Sequence, residues 1–162
     1  GIIILGKTGV GVWWMKVFLF CLIAVILVAG LYVWVHRILI NRATIMLRNR
    51  AQQTTDQAVN QCLQDDLGWD RTLQSELVAD VWGKGVLAFE YHFPVADLAD
   101  LAKERLEQKL NDYASGHQLP EAGESFVVTD WWQYEHVQHI DVAYLLNEAT
   151  REYVADLKKI DH

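Results

Sequence analysis

The sequence predicts an α+β chain: a single N-terminal transmembrane helix extended into a stalk, then a small, mostly antiparallel sheet of about three strands covered by helices. Three observations predict it. Val17 to Val35 reads VFLFCLIAVILVAGLYVWV, nineteen residues without a charge. All 21 acidic residues fall after residue 50, against eight of the 14 bases, so residues 51–162 carry a balance of −13. Within that acidic part the apolar period switches between two and three-to-four, the mark of strands and helices in one layered body.

The apolar run dominates the first third. At a rise of about 1.5 Å per residue it covers most of a ~30 Å hydrocarbon core. Trp14 and Trp34 lie twenty residues apart and set an indole at each interface, with Trp13 and Tyr32 thickening the two belts. A signal peptide has a shorter apolar region and a small-residue cleavage site, whereas this run ends in Val33-Trp34-Val35-His36-Arg37. A retained span over residues 15–36 is therefore expected. Met15-Lys16 reads as a natural start, which makes residues 1–14 a leader, either upstream translation or a trimmed extension.

The leader itself, GIIILGKTGVGVWW, begins as a nucleotide-binding protein does, with an apolar strand (Ile2 to Leu5) entering a turn with Gly6, Gly9 and Gly11. GKTGVG resembles the phosphate loop of septin-like and immune-associated GTPases, over about a dozen residues, and the resemblance implies a phosphate-cradling turn. The match ends where the chemistry starts. Val12 stands where the phosphate-binding lysine belongs and Trp13 where the magnesium-holding hydroxyl belongs, so no nucleotide or other cofactor is expected.

After the span, Leu39, Ala43, Leu47, Ala51, Thr54, Ala58 and Cys62 recur at helical spacing with no Pro or Gly before Gly68. This reads as a membrane-proximal helical stalk over 37–66, whose Ala/Thr stripe serves either ordinary core contact or self-association. Arg37, Arg42, Arg48 and Arg50 follow the span while Lys7 and Lys16 precede it. They favour the cytoplasm for residues 67–162 by the positive-inside rule, and Arg37 and Arg42 join Trp13, Trp14 and Trp34 as expected membrane-interface residues.

In the acidic body, Asp70 is the expected N-cap of a short helix carrying Leu73, Leu77 and Val81. VLAFEYHF (86–93) alternates, with Leu87, Phe89, Tyr91 and Phe93 on one face and Glu90 and His92 on the other. A helix follows Pro94 to about Ser115, turning Leu98, Ala102, Leu106, Leu110 and Tyr113 inward, with Gly116 as its left-handed cap. Residues 125–129 and about 136–144 read as two more strands, and Asn147 caps a last helix using Tyr153, Val154, Leu157 and Ile160.

The candidate chemistry is thin. In EHVQHID, His136 and His139 with Asp141 are the metal candidates, but on a strand residues three apart point to opposite faces, so only His139 and Asp141 share a side. Trp131, Trp132 and Tyr134 are the interaction candidates; one of the adjacent indoles belongs to the core and the other to the surface. Cys62 reads as a small buried hydrophobe, and no Gly-x-Ser-x-Gly elbow or CxxC occurs. The acidic balance argues against nucleic acid. The expected role is a single-pass, non-catalytic interaction or assembly component of the bacterial cell envelope, with membrane lipid and a protein as partners. The alternatives are a pilin-like structural subunit and a His/carboxylate metal-binding or enzymatic domain.

Overall fold

The computed structural model describes residues 2–78, 85–119 and 124–160, with side chains from residue 11 onward. The chain divides into two compact units, Gly1–Thr44 and Ile45–His162. Helix α1 runs Ile2–Leu67. It starts before the glycines, so the strand expected at Ile2 to Leu5 is absent: residues 2–10 are helical. Its N-terminal part is, among the described residues, the one helix long and apolar enough to cross a membrane. Phe18, Phe20, Leu27 and Trp34 are all exposed there. Apolar side chains without protein cover are what a lipid-facing helix requires, because the backbone is already satisfied within the helix.

Within the second unit the same helix changes character. Ala51, Ala58 and Cys62 of the expected stripe are buried together with Thr55, Val59 and Leu63, so over this stretch they make core contact, while Thr54 is only half-buried. Gly68, at a φ of +66°, ends the helix by donating its N–H to the Gln64 carbonyl, a left-handed stop that glycine makes without strain. The helix expected from Asp70 does not form, and Val81 lies outside the described residues. Instead residues 71–75 run back along α1, whose side chains replace the hydrogen bonds a helix would have made. Asn60 both accepts from Leu73 N and donates to Leu73 O, Gln52 donates to Ser75 O, and Gln64 donates to Arg71 O.

Four strands follow where about three were expected: β1 (Glu76–Leu77), β2 (Ala88–Pro94), β3 (Phe126–Tyr134) and β4 (Val137–Tyr144), antiparallel in the order β1-β2-β4-β3. β3 runs five residues beyond its expected end at Thr129 and turns into β4 through Glu135 and His136, whose φ values are 49° and 65°. Two consecutive positive φ angles make the tight turn whose twist matches the flanking strands. Neither residue advertises that turn, since Asn-Gly is its usual signal.

Helix α2 (Lys103–Gly116) begins later than Pro94 suggested; a 3-10 turn at Val95–Asp97 intervenes, and Ala102 is the exposed N-cap residue and not an inward one. Gly116 is still helical. The left-handed residue is Gln118 (φ 52°), and Leu119 N donates to Ala114 O across it, a Schellman closure two residues later than expected. Helix α3 (Glu148–Ile160) is capped as expected, Asn147 Oδ1 accepting from Thr150 N at 3.0 Å. Val154 is buried, but Ile160 is exposed.

One face of the sheet is closed. Leu87, Phe89, Tyr91 and Phe93 of the β2 segment, Ile140, Val142 and Tyr144 of β4, and Phe126 and Val128 of β3 form the main core with α1 and α2. A smaller core on the other face joins Ala88, Val127 and Ala143 to Val154 of α3.

Candidate functional site

Helix α3 covers only one end of its face, and what lies uncovered is defined by register. Residues directly opposite in neighbouring strands share a face, and so do residues two apart along a strand. Ala88, Ala143 and Val127 form the row beneath α3. The next row toward the hairpin is Glu76, Glu90, Asp141 and Asp130, one carboxylate from each strand. Beyond it come His92, His139 and Trp132, then Pro94, Val137 and Tyr134. A β-bulge between Val128 and Asp130 sets this pattern, because the extra residue, Thr129, reverses the phase of everything after it. It sends Asp130, Trp132 and Tyr134 to the open face and Trp131 against the main core.

The side chains in these rows touch. The His139 ring stacks on the Trp132 indole with centroids 3.9 Å apart and planes 4° from parallel. Its Nδ1 lies 2.7 Å from Glu90 Oε1, and His92 sits 6.0 Å from it, ring to ring. Trp131 N–H donates to Asp130 Oδ1 at 2.9 Å. Asp141 is buried, and its Oδ1 has no hydrogen-bond partner among the described residues. Burial first, and then the Glu90 and Asp130 charges, push its carboxyl up to about 7, with His139 opposing. Tyr153 of α3 faces the same acids: burial, then Asp141 and Asp130, raise its phenol. A cavity of about 600 Å³ lies along β3, lined by Asp130, Trp131 and Thr129 with Lys103 and Glu104 of α2 and Leu157 of α3.

The sequence candidates fall on this arrangement unevenly. His139 and Asp141 share the open face, whereas His136 stands in the hairpin turn, where its carbonyl accepts from Val95 N. Among the described residues no group of three or more His, Cys, Asp or Glu is placed to hold a metal ion. Trp131 is the inward indole, Trp132 the outward one, and Tyr134 is exposed. Trp13, Trp14, Trp34, Arg37 and Arg42 are exposed on α1. Cys62 is buried, which pushes its thiol up to about 11 and keeps it protonated. Sequence reasoning missed Glu76 and Asp130. Asp130 reaches the open face only because of the bulge at Thr129, and Glu76 joins the row only through its pairing with Glu90.

What these findings define is an α+β chain with one candidate transmembrane helix. Comparison with family models, with curated proteins and with solved structures finds no match to it.

Proposed function

We propose that this chain is a single-pass membrane protein whose acidic α+β body is a binding module, an interaction or assembly component of the bacterial cell envelope that works without catalysis. The observation that carries the reading is the uncovered half of the sheet, where Trp132 and Tyr134 stand exposed beside a buried carboxylate. Exposed aromatics on a rigid sheet lose little entropy on docking and are enriched at the centres of interfaces. The anchor rests on the length and hydropathy of the N-terminal helix and on the Trp14 and Trp34 spacing. Arg37, Arg42, Arg48 and Arg50 support the cytoplasmic side for the body.

The test is a photocrosslinker at position 134 of the full chain in native membranes. A discrete adduct, lost on Trp132→Ala and retained in the membrane pellet after alkaline carbonate, is the expected result. Release by carbonate overturns the anchor, and the lack of any adduct overturns the binding module. A second reading, a His/carboxylate enzyme, is favoured by the 2.7 Å approach of His139 to Glu90 beside Asp141, whose carboxyl burial pushes up to about 7.

A further inference from the structure

We infer that the open half of the sheet recognises a basic, extended segment of a partner protein, seating an arginine or lysine side chain against the carboxylates of Glu90, Asp130 and Asp141. This rests on the binding-module reading above and names the partner's chemistry. Like charges directly opposite one another in a sheet are destabilising. Here four carboxylates stand abreast, on a body whose overall balance is −13. His139 reaches Glu90, and the Trp131 N–H reaches Asp130, but the buried Asp141 Oδ1 has no partner. An arrangement that costs stability in the free protein and leaves an acceptor unsatisfied is completed by a cationic donor.

The surroundings select the kind of cation. A metal ion needs three or more converging ligands, and none converge among the described residues. A guanidinium spans two carboxylates with its fork of donors, and its flat face stacks on indole and phenol rings. The body uses that pairing once already, with the Arg71 guanidinium 4.1 Å over the Trp69 ring. The cavity along β3 offers Trp131 and Leu157 to an aliphatic stem and Asp130 and Glu104 to its charged end.

The partner segment does not pair along the first part of β3. β3 is one of the two outer strands, and its edge is closed as far as Trp131 by this chain's own groups. Asn111 Oδ1 accepts from Ser125 N and Phe126 N, Glu107 Oε1 accepts from Val128 N, and Asp130 holds Trp131 N. Recognition therefore falls to side chains.

The experiment titrates the full chain in micelles with an acetylated, amidated peptide alternating glycine and arginine, and with its glutamine counterpart, followed by tryptophan fluorescence. The arginine peptide is expected to saturate and the glutamine peptide not. Glu90→Gln with Asp130→Asn should weaken binding by about tenfold or more, with a steep loss in salt. Tyr134→Lys, which places a cation at the rim far from the core, should do the same without altering circular dichroism. Binding indifferent to these substitutions, no binding, or displacement of the peptide by zinc at the same residues overturns the inference. A photocrosslinked partner at position 134 that survives Glu90→Gln with Asp130→Asn ends this inference and leaves the binding module standing. If no partner crosslinks, both fall.

Discussion

The two faces of the four-stranded sheet are written by alternate residues of the same strands, yet they meet different surroundings. Toward α1 and α2, the row Phe89, Val142 and Val128 is buried, and the row Tyr91, Ile140 and Trp131 is buried except for the half-buried Trp131 at its end. On the other side α3 shields the alanine and valine row and then stops, leaving carboxylates, histidines and aromatic rings to water. The closed face buries Gln138 among its apolar rows, whereas Glu76, His92 and Asp130 on the open face reach water. Only Asp141, at the boundary between the α3-covered and the open rows, experiences both environments, and its carboxyl is displaced upward accordingly. The contrast teaches that the closed face supplies stability, while the open face carries charged groups that lower it, Asp141 above all.

Three substitutions break or sharpen that contrast. The largest effect is expected from Phe89→Ala on the closed face, at about 3–5 kcal/mol of lost stability in denaturant unfolding of the full chain in micelles. A loss below about 1 kcal/mol would mean that face is not close-packed.

Asp141→Asn probes the boundary. A carboxyl whose folded pKa (about 7) exceeds its ordinary value of 3.8 binds more protons folded than unfolded, so its contribution is fully present below pH 3.8 and is lost as pH rises through about 7. Replacing it should therefore stabilise the body at pH 8, by at most about 4 kcal/mol, and the gain should vanish toward pH 4. Unfolding midpoints at pH 4, 6 and 8 for the two proteins check this, and a gain that does not grow with pH refutes it.

Tyr134→Ala, on the open face, should change stability by less than about 0.5 kcal/mol. A cost comparable to that of Phe89→Ala would place Tyr134 in a packed layer and erase the distinction between the faces.

Much of the closed face was legible in the sequence. Leu87, Phe89, Tyr91 and Phe93 announce themselves by alternation, Leu106 and Leu110 by helical spacing, and Asn147 by its position before an amphipathic run. Less was legible where one residue answers to a distant one. The segment after Asp70 has the composition of a helix start, but Asn60, thirteen positions before Leu73, claims its backbone. Gln118 takes the left-handed turn that Gly116 was expected to take, because the helix continues until Ala114 and Leu119 can close over it. The candidate site was half visible: His139 and Asp141 were rightly put on one side of a strand, while Glu90, Asp130 and Trp132 joined them only through pairing.

Composition and period by themselves determined that this chain has a lipid-compatible helix and an acidic body of mixed strands and helices. Those properties are local, fixed by transfer of apolar side chains out of water and by the repeat of the backbone. Tertiary structure alone decided that β4 lies between β2 and β3, that Thr129 bulges, and that four carboxylates align. Register is a choice between strands in which a shift of one residue exchanges the two faces. In the β3–β4 hairpin a bulge and a turn of uncharacteristic residues set it, and β2 meets β4 across the whole of α2 and β3.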